Sequence, residues 1–182
     1  MKIIKSISIV LIVFLFFYCS SKNKTDGKSD FDVYQRLKEL NITLNKPWVP
    51  VANYVRARRS GNLVFLSGHG PRNPAGGFKQ GKVGKDLTLE EGYEAARLTG
   101  LDLLSSLEQE IGDLNKVKRF IKVLGMVNVD PSFTDMPKVI DGFSDLIVAI
   151  FGERGKHARS AVGLASLPSN IPVEIEMIVE IK

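Results

Sequence analysis

"GKHARSAVGLASLPSNIPVEIEMIVEIK", residues 155–182, closes the chain with two alternating runs on either side of a proline-bounded turn. In the second run Val173, Ile175, Met177, Val179 and Ile181 alternate with Glu174, Glu176 and Glu180. Successive strand side chains point to opposite faces, so this pattern predicts a strand with one face in a core and one polar face. In the first run Val162 and Leu164 share one face, and Arg159, Ala161, Gly163 and Ala165 share the other. A sheet covered on one side only puts every helix upstream of it on that side.

Two helical stripes lie upstream. The first opens on a capping-box pattern, Thr88 with Glu91, runs through Leu89, Tyr93, Ala96, Gly100, Leu103, Leu107 and Ile111, and stops at Gly112. Its small residues Gly92, Ala95, Ala96 and Gly100 permit close approach to a sheet. The second starts near Thr134, runs through Met136, Ile140, Phe143, Ile147 and Ile150, and stops at Gly152, with Pro137 in its first turn. Between them "VKRFIKVLGMVNV" (117–129) reads as a strand. Further upstream, "NYVRARR" (53–59) and "NLVFLSG" (62–68) form a hairpin through Ser60-Gly61, and residues 70–86 are a loop rich in Gly and Pro. Phe31, Tyr34, Leu37 and Leu40 predict a short amphipathic helix with an Asp N-cap within 30–42. The order ββ, loop, α, β, α, ββ predicts a two-layer α+β domain with a mostly antiparallel sheet and two helices on one face.

The 182 residues, 44% hydrophobic and 25% charged, suffice for one globular domain. The first thirty stand apart from it. Lys2 and Lys5 precede an apolar run at 7–18, and the composition then turns polar in "CSSKNKTDGKSD" (19–30). This is the pattern of an export signal, and the apolar run is short for a bilayer span. Residues 1–19 are therefore expected to direct export to the cell envelope or periplasm, 20–31 to be a polar tether, and 32–182 to be the domain. Cys19, the chain's one cysteine, sits where a bacterial lipoprotein carries its lipid. Cleavage after Ser21 with simple secretion, or an uncleaved anchor, are the other outcomes. One cysteine provides no disulfide framework.

Charge and spacing exclude several chemistries. Without Lys2 and Lys5, 23 basic residues face 20 acidic ones, and the one basic cluster, "RARR" at 56–59, has no aromatic ladder beside it and reads as a solvated strand end. Nucleic acid is not the expected partner. His69 and His157 have no cysteine partner and make no metal signature. Ser67 and Ser160 lack a His/Asp relay, and the glycine-rich 76–84 stretch lacks the Gly-Lys-Ser/Thr ending of a phosphate loop. No cofactor is implied.

Two helices leave the second sheet face to solvent or to another subunit. Arg159, Ala161, Gly163 and Ala165 are expected there, beside Glu174 and Glu176. An arginine above small residues forms a recess whose planar fork matches a carboxylate. Equally, Arg159 pairs with one of the glutamates and the small residues serve subunit packing; spacing does not choose. His69, at a strand end, reaches this face or is a plain loop residue. His157 shares the Arg159 face, as ligand contact or interface residue.

"NYV…GNLVFLSGHGP", "DLTLEEGYEAARLTGLDLL", "VKRFIKVLGMVNVDPSFTDMPKVIDGFSDL" and "GKHARSAVGLASLPSNIPVEIEMI" resemble the YjgF/RidA (reactive intermediate deaminase) family, in its longer YjgF-like or endoribonuclease L-PSP-like branch. The resemblance covers about residues 32–182. It implies a chorismate-mutase-like fold, a homotrimer with an inner β-barrel, and ligand clefts between subunits. It further implies that Arg159 holds the carboxylate of a 2-imino acid and Glu174 positions the water that hydrolyses it to a 2-keto acid and ammonia. Tyr54, Ser67, Gly68 and Ala161 would line the cleft. Ala161 stands where deaminating relatives often have cysteine, Gly163 where they have glutamate, and Pro131 where they have asparagine. The same resemblance accommodates a non-catalytic carboxylate-binding trimer of the cell envelope, or the ribonuclease activity of some relatives, which the modest charge opposes.

Overall fold

The computed structural model describes residues 31–50, 52–72 and 80–182. The apolar run, Cys19, most of the tether and part of the Gly/Pro loop lie outside the described residues. No helix among the described residues is long and apolar enough to cross a membrane.

The alternating run at the end of the chain is strand β5 (Val173–Ile181), and it is central. With β1 (Ala57–Ser60), β2 (Leu63–His69), β3 (Val117–Asn128) and β4 (Ala158–Leu164) it makes a sheet of order β1-β2-β5-β3-β4. Every neighbouring pair is antiparallel except β3 and β4, which run parallel. Val173, Ile175, Met177, Val179 and Ile181 are at most 2% exposed, so the predicted apolar face is in the core.

Helix α1 (Val33–Glu39) is short, with Asp32 as N-cap accepting from Tyr34 N. The two long helices are α2 (Leu89–Ile111) and α3 (Met136–Phe151). The capping box of Thr88 and Glu91 closes α2 at one end, and Gly112, at φ 77°, closes the other. Leu103, Leu107, Phe143 and Ile147 are fully buried and join the β5 apolar face in one core. Glycines bring these layers together. A Cβ on Gly142 of α3 would stand 2.0 Å from the Tyr93 carbonyl oxygen of α2, and one on Gly125 of β3 would stand 2.6 Å from Ile140.

The hairpin differs from expectation by one residue. Ser60 pairs with Leu63, so the turn is Gly61-Asn62, and β1 begins only at Ala57. Ser67 carries the pairing one step beyond the strand: its N–H donates to the Arg56 carbonyl and its hydroxyl to the Val55 carbonyl, at 3.0 and 2.7 Å. Arg56 thus faces Ser67 in the same register as the four pairs of the hairpin.

Candidate functional site

Strand β4 departs most from the sequence reading. Its partners on β3 are Arg159 with Val123, Ala161 with Gly125 and Gly163 with Val127. Val123 and Val127 are fully buried. Arg159, Ala161 and Gly163 therefore lie on the helix side, and Ser160, Val162 and Leu164 take the open face. The small residues have a physical reason there. A Cβ at Gly163 would stand 2.9 Å from Val129 Cγ2, and Ala161 packs against the core. They allow α3 and the segment before it to close down on the sheet edge.

Arg159 consequently pairs with neither Glu174 nor Glu176. Its Nη1 donates to Asp141 Oδ1 at 2.8 Å and to Ser144 Oγ at 3.0 Å, both on α3. The side chain is 23% exposed on an edge strand, and its Nε and Nη2 have no hydrogen bond among the described residues. His157 is on the same side, as expected, with Nε2 3.2 Å from Ser144 Oγ.

Glu174 lies on the open face, opposite Met126. A β-bulge between Leu66 and His69 re-aims β2 here. A Cβ on Gly68 would stand 2.0 Å from Glu174 Oε1, so only glycine lets the carboxyl lie across the strand. That carboxyl is half-buried and has no hydrogen bond among the described residues. Burial first, and the Glu176 charge second, push its pKa above the ordinary glutamate value. Gly68 thus does meet Glu174, Ser67 is the residue before it, and Tyr54 leads into the Val55–Ser67 contact. Ser67 lines an open-face hollow of about 540 Å³ with Phe65, Lys122, Ser160 and Glu176. Tyr54 lines a second of about 550 Å³ with Trp48 and Arg56, and Val55 and Arg58 border both. Arg159 and Glu174, on opposite faces of one sheet, do not meet within a chain.

The bulge also turns His69 inward, away from the open face. It is 5% exposed, with Nδ1–H donating to the Ser67 carbonyl at 2.6 Å and Nε2 against Ser106 Oγ at 2.8 Å. Ser106 Oγ accepts from Arg56 Nε at 2.7 Å, and Arg56 forms a buried ion pair with Asp102. Burial, then the Arg56 charge, depress the His69 pKa to about 4, which keeps the ring neutral at pH 7. In "RARR", then, Arg58 and Arg59 are solvated as expected and Arg56 is not. The missed signal was Asp102 and Ser106, four residues apart in α2 and flanking the buried Leu103.

Comparison with known proteins agrees with this architecture. The family described as "YjgF/chorismate-mutase-like, putative endoribonuclease" matches residues 35–181. Protein TCP17 of Trypanosoma cruzi is 43% identical over 150 residues, covering 82% of this chain and 94% of that protein. The 2-iminobutanoate/2-iminopropanoate deaminase of Dermatophagoides farinae is 29% identical over 134 residues, 73% of this chain and 89% of its own. Among solved structures, Atu1372 of Agrobacterium tumefaciens superimposes with a TM-score of 0.77 at 42% identity, covering 82% of this chain and 92% of that one. A family match over residues 35–181, with a solved structure of the same fold at 42% identity, shows that the chain belongs to the YjgF/chorismate-mutase-like family.

Proposed function

We propose that the protein hydrolyses small 2-imino or enamine acids to 2-keto acids and ammonia, in clefts between the subunits of a homotrimer. The observation that carries this reading is Glu174: half-buried, without a hydrogen-bond partner among the described residues, laid against Gly68, and with its pKa raised. A carboxyl tuned upward serves both halves of such a hydrolysis. As carboxylate it takes a proton from the water adding to the C=N carbon. As acid it returns that proton to the nitrogen of the adduct formed from the protonated imine, and as the C–N bond breaks it takes the hydroxyl proton, so that ammonia leaves and the keto group forms. The unclaimed edge of Arg159 holds the substrate carboxylate, which aims the adjacent carbon at that water. Because Arg159 and Glu174 lie on opposite faces, the cleft takes Arg159 from one subunit and Glu174 with Gly68 from its neighbour. Tyr54, Val55, Phe65 and Val162, each at least 39% exposed, suit such self-association. A relative bearing the deaminase name supports the reaction class.

Arg159→Ala and Glu174→Gln are each expected to lower ammonia release from imines generated in situ by roughly a hundredfold. Unchanged turnover in Arg159→Ala rejects the proposal, as does a monomeric mass by light scattering. Ala161 and Gly163 bring no functional group to the Arg159 side, which favours a second reading as a binder that does not turn its ligand over. Heat of binding lost in Arg159→Ala, with no product formed by the wild type, selects it. We further propose that residues 1–19 direct export and that Cys19 carries a lipid. Intact mass in the membrane fraction tests this, and an unmodified N-terminus beginning after Ser21 rejects it.

A further inference from the structure

Both histidines of this chain sit in the same arrangement. In one, Arg56 Nε donates to Ser106 Oγ, which faces His69 Nε2, and His69 Nδ1 bonds the carbonyl two residues back. In the other, Arg159 Nη1 donates to Ser144 Oγ, which faces His157 Nε2, and His157 Nδ1 bonds the Gly155 carbonyl at 2.7 Å. Each arginine also pairs with an aspartate of the helix that carries the serine, Asp102 or Asp141. The difference is burial: Arg56 is 6% exposed, and Arg159 is 23% exposed with one edge unclaimed. The first set is sealed inside the fold. The second opens at the sheet edge.

We propose that Ser144 and His157 are positioning residues that hold the Arg159 guanidinium with its Nε–Nη2 edge outward, toward a ligand carboxylate. This rests on the reading of Arg159 as the carboxylate anchor. The direction of each hydrogen bond follows from the donors available. His157 spends its Nδ1 hydrogen on Gly155, so Nε2 carries a lone pair. Ser144 turns its single hydrogen toward that lone pair and leaves an oxygen lone pair for Arg159 Nη1. Thr99 and Ser105 each donate to a carbonyl four residues back in their helix, and Ser144 has no such bond among the described residues. Its hydroxyl is committed to the strand instead. The His157 ring is held edge-on against Phe143 at 5.7 Å between centroids, and burial keeps its pKa below the ordinary value, hence neutral at pH 7.

Calorimetric titration of the full-length protein with pyruvate, the smallest 2-keto acid, tests this. Ser144→Ala and His157→Leu are each expected to weaken pyruvate roughly tenfold, the size of a lost hydrogen bond to a charged group. Ser144→Thr keeps the hydroxyl and His157→Gln keeps an acceptor at the Nε2 position, so both are expected to restore affinity to within about twofold. Thr99→Ala, which removes a buried hydroxyl bonded to the Ala95 carbonyl of its own helix, is expected to leave pyruvate affinity alone. If Arg159→Ala loses pyruvate while Ser144→Ala and His157→Leu keep wild-type affinity, the positioning role is overturned and the anchor stands. Failure of the Thr and Gln variants to restore binding overturns it equally. If Arg159→Ala binds as the wild type does, or the wild type binds no pyruvate, the anchor reading falls and this inference with it.

Discussion

Gly142→Ala is expected to destabilise the domain by about 3 kcal/mol, although it adds one methyl group to a helix. Helix propensity alone favours alanine over glycine by roughly 1 kcal/mol, so a loss has to come from contact. The contact is backbone. The added Cβ would stand 2.0 Å from the Tyr93 carbonyl oxygen and 2.8 Å from its carbon, and neither can rotate away as a side chain could. Relief requires α3 to lift from α2, which opens the core around Phe143 and Ile147 on one side and Leu103 on the other. Gly61 is the control, because a Cβ there meets nothing within 4 Å and Gly61→Ala carries only the strain of φ 60°. Urea denaturation of both variants reads the difference. A Gly142→Ala midpoint equal to the wild type's would mean that α2 and α3 leave room for a methyl group at this crossing.

The architecture was legible because its central strand and long helices obey clean periodicities. Every second residue of β5 from Val173 to Ile181 is apolar and buried, and Thr88 with Glu91 marks the start of α2 to the residue. The candidate site was legible in its members and not in its faces. A period of two divides Arg159, Ala161 and Gly163 from Ser160, Val162 and Leu164, but does not say which set a helix covers. Small residues suit an open recess and a close helix equally well. The Cβ contact between Gly163 and Val129 decides for the helix, and only a folded backbone holds that information. The face of Glu174 was legible because Val173 and Ile175 on either side of it are fully buried. The buried cluster was missed for a different reason. Arg56 sits in a basic cluster, between Val55 and Ala57, and its partners lie 46 and 50 residues away, so no local pattern joins them.

That cluster predicts the other large effect. Asp102→Ala is expected to destabilise the protein by about 3–5 kcal/mol, because it leaves the buried Arg56 charge without its counter-ion. Arg56 Nη1 already lacks a partner, Arg72 reaches Asp102 only at 4.0 Å, and the Trp48 ring 5.0 Å from the Arg56 guanidinium carbon is no substitute for a carboxylate. Replacing both residues by apolar ones, Arg56→Met with Asp102→Leu, removes the orphan charge and should cost less than Asp102→Ala alone. A double variant no more stable than Asp102→Ala would show that the pair does not behave as a buried ion pair. His69 gives the cluster a pH signature. Its folded pKa of about 4 lies below the ordinary 6.5, so the unfolded chain binds the proton first. The His69 contribution is therefore complete above pH 6.5 and falls by roughly 3 kcal/mol as pH drops from 6.5 to 4. Denaturation midpoints of the wild type and His69→Gln, followed through that window, should converge as pH falls; parallel profiles would place the protonation elsewhere. The cluster also bears on the proposed cleft, since the Arg56 carbonyl and the His69 ring both bond Ser67, the residue before Gly68. Loosening Arg56 therefore loosens the bulge that lets Glu174 lie over Gly68, and Asp102→Ala should depress turnover at temperatures where the variant is still folded.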